Sequence, residues 1–356
     1  MHTKIEEVLN LAVNNNASDI HFFVGILPKI RINGNLVDVT GFENLNPEQT
    51  SEMLLSILTE DQKKIFLAEK ELDFSLAFEN ARFRCNIYFE KSQIACALRV
   101  VPKDIPTFDA LNLPKIINQL TELNQGFILV TGPTGHGKST TVASSLNEIN
   151  HKRGCHIVTI EDPIEYLIKP DKCIISQREL GGDTLTFPNA LRSVLRQDPN
   201  VVYVGEMRDL ETISSALTIA ETGHLVFSTL HTNSAAQTID RIVDVFPEGA
   251  KEQIRVQLAS VITAVVSQRL IPTLDGRRTP AFEIMVATPA LKNIVREGKT
   301  FMIDNIIQTS ADLGMVSLET SLAKLVKTGI ISEDVAMSYC LRPSELQNQL
   351  RNTKMI

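Results

Sequence analysis

The chain has 356 residues, enough for two domains with their own hydrophobic cores. A hydrophobic fraction of 43% and a charged fraction of 22% are typical of globular proteins and exclude fibrous and low-complexity classes. The formal net charge of −7 argues against sequence-independent nucleic-acid binding, which relies on clustered Lys and Arg, without excluding a local basic face.

Two absences in the sequence predict a cytoplasmic protein that touches membrane machinery only through partners. The N-terminus, MHTKIEEVLNLAV, lacks the charged region and long apolar stretch of a signal peptide. No apolar run reaches about 18 residues, the length of a membrane-spanning helix. The cysteines have neither zinc-site nor disulfide-framework spacing, so free thiols are predicted at Cys85, Cys96, Cys155, Cys173 and Cys340.

Residues 1–101 are predicted to form an α+β domain. Apolar residues at helical spacing predict a helix over 4–14, and a second helix is expected over 47–58. Asn33-Gly34 is a strong hairpin signal between two short strands. Alternating segments predict strands over 20–24, 29–32, 36–39, 81–89 and 94–101.

The next segment, 102–114, contains three prolines and is predicted to be an interdomain linker. From residue 115 to 356, short apolar strands alternate with helices, which predicts a doubly wound α/β domain whose parallel sheet is covered on both faces. Its C-terminal region, from about residue 251, is predicted to be helical throughout. The strands of this domain are predicted over 127–131, 156–160, 201–204 and 225–229.

A phosphate-binding loop follows the first of these strands. Its sequence matches G-x-x-x-x-G-K-[ST] in full and opens a helix, which is the context that this motif requires. Lys138 is expected to reach the β- and γ-phosphates of ATP, and the Ser139 hydroxyl to ligate Mg²⁺. The expected nucleotide-binding residues are Gly132, Pro133, Thr134, Gly135, His136, Gly137, Lys138, Ser139 and Thr140.

Carboxylates follow two other strands, at the sheet edge where open α/β sheets bind ligands. Glu161 ends the segment HIVTIE, and Glu206 follows VVYVG as in a Walker B strand. ATP hydrolysis needs a residue that orients or deprotonates water and a second contact to Mg²⁺. Capping of a following helix is the alternative role for both acids. For Asp162 and Glu165, capping explains the sequence as well as a role in the site does.

Two histidines flank the fourth strand, Leu225–Thr229. His231 follows it, close to the expected position of the γ-phosphate, where it could sense nucleotide by donating a hydrogen bond. A structural role for His231 explains the sequence equally well, and His224 is interpreted as structural.

These motifs together resemble the secretion and type IV pilus ATPases, and within them the PilT-like retraction ATPases. The similar segments are GPTGHGKSTT for Walker A, TIEDPIEY for the Asp box, DPNVVYVGEMRDLETI for Walker B and AETGHLVFSTLHTNSAAQTIDRIVDVFP for the His box. ASDIHF, RFRCN and the C-terminal segment also match, so the resemblance spans nearly the whole chain.

The resemblance implies a RecA-like ATPase domain preceded by a PAS-like domain, in six-membered rings that bind ATP between the two domains. It implies that Glu161 is the general base, that Glu206 acts on Mg²⁺ through water, and that His231 is the His-box residue. It also implies phosphate-approaching arginines that couple ATP to domain rotation. These are Arg82, Arg84 and Arg99, for each of which a solvated position is an equal alternative.

Two features favour retraction over extension or secretion. Residues 290–297, ALKNIVRE, resemble the AIRNLIRE signature of retraction ATPases, although an ordinary amphipathic helix is the alternative. The chain also lacks the tetracysteine segment that extension and secretion ATPases carry. His136 stands where many relatives have serine, at a position where the motif allows any residue.

The predicted protein is therefore a hexameric, Mg²⁺-dependent ATPase motor for type IV pilus retraction. Its expected partners are a platform protein at the cytoplasmic face of the inner membrane and a second retraction ATPase, with no nucleic acid. The alternatives are an accessory retraction ATPase, a pilus or secretion assembly ATPase, a RecA-like nucleic-acid translocase, and a regulator that binds nucleotide without turnover.

Overall fold

A computed structural model describes residues 1–32, 34–79, 81–101 and 104–351. The chain divides into two compact units, Met1–Asp104 and Ile105–Ile356. Each unit has its own hydrophobic core, as a chain of this length allows.

In its described residues, the first unit is an antiparallel sheet of six strands in the order β3-β2-β1-β6-β5-β4, with three helices. Alternate residues of its long strands are buried, so one face of the sheet joins the helices in a core that contains Phe22, Phe66 and Phe83. The elements are α1 Thr3–Asn14, β1 Asp19–Phe22, β2 Lys29–Ile32, β3 Asn35–Asp38, α2 Pro47–Leu55, α3 Glu60–Glu69, β4 Glu71–Phe78, β5 Ala81–Glu90 and β6 Gln93–Val101.

The predicted helices over 4–14 and 47–58 and the predicted strands of this unit are confirmed, with ends that differ by a few residues. Asn33 of the predicted hairpin turn lies outside the described residues, and Ile32 pairs with Asn35 across that turn. The sequence did not predict α3 and β4. Helix α3 was missed because its composition is highly charged. Phe66 is its single buried residue, so the segment shows no apolar periodicity.

The second unit contains a sheet of seven strands in the order β13-β12-β7-β11-β10-β8-β9. All neighbours are parallel except β12 and β13. Its first elements are α4 Lys115–Thr121, β7 Gly126–Thr131, α5 Lys138–Lys152, β8 His156–Glu161, β9 Ile174–Glu179, α6 Phe187–Val194, β10 Val201–Val204, α7 Leu210–Glu221 and β11 Leu225–Leu230.

The remaining elements are α8 Ala235–Asp244, α9 Glu248–Val261, β12 Ile262–Pro272, β13 Arg278–Val286, α10 Pro289–Glu297, α11 Ile303–Thr309, α12 Leu318–Lys327, α13 Glu333–Tyr339 and α14 Pro343–Arg351, with 3-10 turns at Thr300–Met302 and Ala311–Leu313. Alternate residues of β7 enter two separate cores: Phe127 and Leu129 enter one, Ile128 and Val130 the other. The sheet is therefore covered on both faces, and its four predicted apolar strands are confirmed.

The prediction that the chain is helical throughout from about residue 251 is wrong. Strands β12 and β13 pair along nine residues in this region, and β12 extends the parallel sheet beside β7. The cause lies in the segment ITAVVSQRLIP, whose mostly apolar first half, ITAVV, lacks the regular alternation of apolar and polar residues that would predict a strand. A run of this kind follows directly on helix α9 and cannot be distinguished from a buried helix by periodicity.

Part of the predicted linker packs against the second unit. Ile105, Phe108 and Leu113 lie against the core that covers one face of its sheet. The Ser144 hydroxyl on α5 donates a hydrogen bond of 2.7 Å to the carbonyl oxygen of Pro106. The first two residues of the predicted linker, Pro102 and Lys103, lie outside the described residues.

The C-terminal helices are fixed to the sheet by a charged cluster around Arg342. Its guanidinium donates to the fully buried Glu319 at 2.8 Å and pairs with Asp304 at 2.7 Å and with Glu283 at 3.5 Å. Glu283 also accepts a hydrogen bond from the amide of Ala235 at the start of α8, and burial raises the pKa of this carboxyl to about 7. Among the helices of the described ranges, none has the length and apolarity needed to cross a membrane.

Candidate active site

Four parallel strands bring the predicted site residues to one edge of the second sheet. Strands β7, β8, β10 and β11 run in the same direction with aligned registers. The phosphate-binding loop follows β7, Glu161 ends β8, Glu206 follows β10 and His231 follows β11. This is the carboxyl edge of the sheet, where ligands bind in open α/β folds.

The loop that follows β7 has the geometry of an anion site. Gly132, Gly135 and Gly137 have positive φ angles, a conformation that side chains with a Cβ disfavour. Helix α5 begins at Lys138 without a side chain that caps its first amides. Because the first N–H groups of a helix need partners and carry partial positive charge, this terminus fits a nucleotide phosphate.

The Lys138 ammonium is folded back onto its own loop. It donates hydrogen bonds to the carbonyl oxygens of Gly132 at 2.9 Å and Pro133 at 3.0 Å. Burial lowers the pKa of Lys138, while the negative charges of Glu206 and Glu165 act in the opposite direction. Lys138 therefore places a positive charge beside the loop in which phosphate is expected.

Glu161 is 6% exposed and lies at the end of β8. Its carboxylate accepts hydrogen bonds from the Thr159 hydroxyl at 2.6 Å and from the Gln177 amide at 3.3 Å. Burial is nevertheless the dominant effect and raises the pKa of Glu161 to about 7. Glu161 lines a small cavity together with Ser139 and Glu165, so it is placed beside the loop and can accept a proton near neutral pH.

Glu206 has the opposite environment. Arg208 donates a hydrogen bond of 2.8 Å to one carboxylate oxygen, and His231 Nε2 lies 3.2 Å from the other. Burial acts to raise the pKa of Glu206, but the interactions with Arg208 and His231 outweigh it and hold this pKa below its ordinary value. The two acids are therefore tuned apart, one to exchange a proton and one to stay ionised.

His231 connects three of the predicted groups. Its Nδ1 lies 3.2 Å from the Thr134 hydroxyl and 3.4 Å from Lys138 Nζ, and its Nε2 contacts Glu206. An ammonium group can only donate, so Nδ1 accepts and Nε2 carries the proton that faces Glu206. His224 is remote from this network, because its Nδ1 contacts Thr222 and the carbonyl oxygen of Ile219.

Helix capping does not explain the acids of this edge. The cap of α7 is Asp209, which accepts a hydrogen bond from Thr212, so Glu206 does not have that role. Residues 162–173, between β8 and β9, are all described and contain no helix that Asp162 or Glu165 could cap.

The three predicted arginines lie on one face of the sheet in the first unit. Arg82 and Arg84 are two residues apart on β5, and Arg84 is directly opposite Arg99 on β6. Asp19 of β1 pairs with Arg99 in register and accepts a hydrogen bond of 3.0 Å from its Nε. Arg31 extends the same row on β2 and lies 3.4 Å from Asp19, so the row carries a net positive charge.

Comparisons with known proteins identify the family of this chain. The model of the family described as type II/IV secretion system protein matches residues 104–296. The chain is 44% identical to the type IV pilus retraction ATPase PilT of Pseudomonas aeruginosa, over 93% of this chain and 96% of that protein. It is 46% identical to the twitching motility protein of Neisseria gonorrhoeae, over 87% and 83%. The chain belongs to the type II/IV secretion system protein family.

The fold of this secretion-family ATPase is also that of a solved relative. It is similar to the crystal structure of the pilus retraction motor PilT with bound ADP, with a TM-score of 0.90 and 43% identity. The similarity covers 97% of this chain and 99% of that chain. The predicted membership of the PilT-like ATPases is confirmed, as is the α/β ATPase fold.

Sequence reasoning missed three residues that set the chemistry of this secretion-family site. Thr159 and Gln177 hold Glu161, and Arg208 holds Glu206. Arg208 lies inside the Walker B segment, so its position was a usable signal. Gln177 lies on β9, an edge strand that was not predicted, and the sequence carries no comparable signal for it.

Proposed function

We propose that this chain is a Mg²⁺-dependent ATPase motor that drives type IV pilus retraction. The observation that carries the proposal is the pair of acids tuned in opposite directions beside an uncapped helix N-terminus and a buried lysine. Two relatives that match most of the chain, a pilus retraction ATPase and a twitching motility protein, support the assignment to retraction.

Each residue of the edge has a role in hydrolysis. The first amides of α5 and Lys138 bind the β- and γ-phosphates of ATP, and Glu161 accepts a proton from the attacking water. Ser139 would hold Mg²⁺ through its hydroxyl and Glu206 would hold it through a water molecule, which are oxygen donors of the kind that this ion prefers. When bound, the ion neutralises charge on the phosphates. His231 orients Glu206 and Lys138 relative to each other.

The first unit is interpreted as the PAS-like domain of the family. Its basic face, formed by Arg82, Arg84 and Arg99, is the surface that contacts nucleotide phosphate and couples ATP to movement. Guanidinium groups suit this role because they remain charged and bind phosphate through two parallel hydrogen bonds. The support is the clustering of the three side chains on one face, with Asp19 holding Arg99 in place.

The proposed assembly is a homohexamer at the cytoplasmic face of the inner membrane. It acts on a platform protein of the pilus and works beside a second retraction ATPase, without binding nucleic acid. Cycles of ATP binding and release around the ring move the platform, and the pilus shortens as its subunits return to the membrane. This assembly is supported by the family relationship and by the similarity to PilT, which extends over nearly the whole chain.

Replacing His231 with alanine is expected to lower kcat for ATP hydrolysis by about 10- to 100-fold, because Glu206 and Lys138 lose the group that orients them. Binding of ADP should change less than kcat, since Lys138 keeps its hydrogen bonds to the carbonyl oxygens of Gly132 and Pro133. The matched control is His224→Ala at the other end of β11, which should keep nearly wild-type turnover. Steady-state phosphate release measures both variants, and equal losses in the two would contradict the role assigned to His231.

Surface pilin on cells tests the proposed function directly. Cells that lack this chain, and cells that carry Lys138→Ala, should both have excess pili and no surface motility. Bald cells would indicate an extension ATPase, and unchanged piliation an accessory ATPase. Stimulation of purified protein by single-stranded DNA would indicate a nucleic-acid translocase.

A further inference from the structure

The phosphate-binding loop packs against β12, a strand in the region that the sequence predicted to be helical. Strand β12 pairs with β7 up to the register Ser267–Thr131, and the residues that follow it run alongside the loop. The approach is close enough that a Cβ at Gly132 would lie 2.2 Å from the Gln268 carbonyl oxygen. A Cβ at Gly137 would lie 2.8 Å from the Gln268 side-chain nitrogen. The glycines of the loop therefore serve two purposes: they allow the close approach of β12, and they leave room for a phosphate.

The Gln268 side chain joins the loop to helix α5. It is 3% exposed, and its Nε2 donates a hydrogen bond of 2.9 Å to the carbonyl oxygen of His136. Its Oε1 accepts a hydrogen bond of 2.6 Å from the hydroxyl of Thr141, on the first turn of α5. One buried amide thus fixes the last part of the loop relative to the helix whose amides face the phosphate site.

His136 makes the second contact between loop and strand. Its Nδ1 accepts a hydrogen bond of 3.0 Å from the backbone amide of Leu270, which requires a ring without a proton on Nδ1. Three positive charges disfavour a proton on this ring: Arg269 from β12, Arg278 from β13 and Lys138 from α5. Burial and these charges lower the pKa of His136 and so favour the neutral ring. The residue at this unrestricted position of the motif is therefore fixed in place.

We propose that Gln268 and His136 are positioning residues that hold the phosphate-binding loop in its nucleotide-binding shape by fastening it to β12. They act through the loop and do not touch the reacting atoms. Their loss should weaken nucleotide binding much more than it slows the hydrolysis of bound ATP. The inference rests on the proposed ATPase function only for the turnover readout, because its binding readout uses ADP alone.

The test compares ADP binding by calorimetry, and KM and kcat for ATP, among matched variants. Gln268→Leu removes both amide hydrogen bonds and His136→Leu removes the ring acceptor, so each should weaken ADP binding and raise KM about tenfold, with kcat within about twofold. The controls are Gln253→Leu and His151→Asn, at exposed positions on α9 and α5, which should bind ADP like the wild type.

His136→Asn separates positioning from general stability. The asparagine Oδ1 can accept the Leu270 amide hydrogen bond in place of Nδ1, and it does not titrate. This variant should bind ADP like the wild type at pH 7.5.

Several results would overturn the inference. One is unchanged ADP affinity in both leucine variants; another is a fall in kcat with KM unchanged; a third is equal loss of binding in His136→Asn and His136→Leu. If Gln268→Leu fails to fold, the two His136 variants decide the matter alone. A wild-type protein that binds ADP but does not hydrolyse ATP would contradict the proposed function and leave the binding comparison intact.

Discussion

Replacing Lys138 with alanine is expected to abolish ATP hydrolysis, with kcat/KM for ATP falling by about a thousandfold or more. The ammonium is the buried positive charge of the loop, and it now donates to the carbonyl oxygens of Gly132 and Pro133. Phosphate oxygens compete for the same donors when nucleotide enters. Loss of this charge removes stabilisation of the phosphates in both the bound state and the transition state, so kcat and affinity should both decline.

The matched control for this prediction is Lys152→Ala. Lys152 is the last residue of the same helix, where its ammonium donates to Asn118 on the surface, far along α5 from the loop. That variant should retain wild-type turnover. Lys138→Arg should also be nearly inactive, because the broad guanidinium cannot occupy the position of a compact ammonium. Phosphate release that survives in Lys138→Ala, with circular dichroism showing a folded protein, would rule out the assigned site.

The sequence predicted four strands of the second sheet, β7, β8, β10 and β11, because their signals are local. Each apolar strand is a short run followed by a chemically distinctive residue, as in VVYVGE and HIVTIE, and parallel strands bring such ends to one edge. The loop, Glu161, Glu206 and His231 were therefore identified correctly as neighbours. The site-specific roles of these residues stay predictions until variants are measured.

The features that tune the site depend on contacts between distant segments. Gln268 reaches His136 across 132 positions, and Gln177 reaches Glu161 from an edge strand with no clear apolar pattern. The raised pKa of Glu161 arises from its burial, and the burial of a glutamate cannot be inferred from the residue type alone. The sequence alone therefore located the acids but did not show that their environments oppose each other.

Replacing Glu161 with glutamine is expected to lower kcat for ATP hydrolysis by about a thousandfold while ATP and ADP still bind. Glutamine has nearly the same shape but cannot accept the proton of the attacking water. In the wild type, the rate should rise with pH through about 7, where the Glu161 carboxyl loses its proton. Turnover near the wild-type rate in Glu161→Gln would move the base role to another acid.

The same substitution should have a second effect on stability, and Glu206→Gln should have the opposite one. Because the pKa of Glu161 is raised to about 7 in the folded protein, the folded state holds a proton that the unfolded chain releases near pH 4.5. The free energy of unfolding of the protein therefore falls as the pH rises between these two pKa values. At pH 8 the loss is on the order of 3 kcal/mol. Glutamine does not titrate and removes this loss.

Arg208 and His231 favour the ionised form of Glu206 and lower its pKa. At pH values above the ordinary pKa of a glutamate, the charge of Glu206 therefore stabilises the folded state. At pH 8, Glu161→Gln should therefore unfold at a higher temperature than the wild type, and Glu206→Gln at a lower one. The advantage of Glu161→Gln should shrink as the pH is lowered to 5. Thermal unfolding followed by circular dichroism at the two pH values measures both, and shifts of the same sign at pH 8 would contradict the opposed tuning on which the proposed mechanism depends.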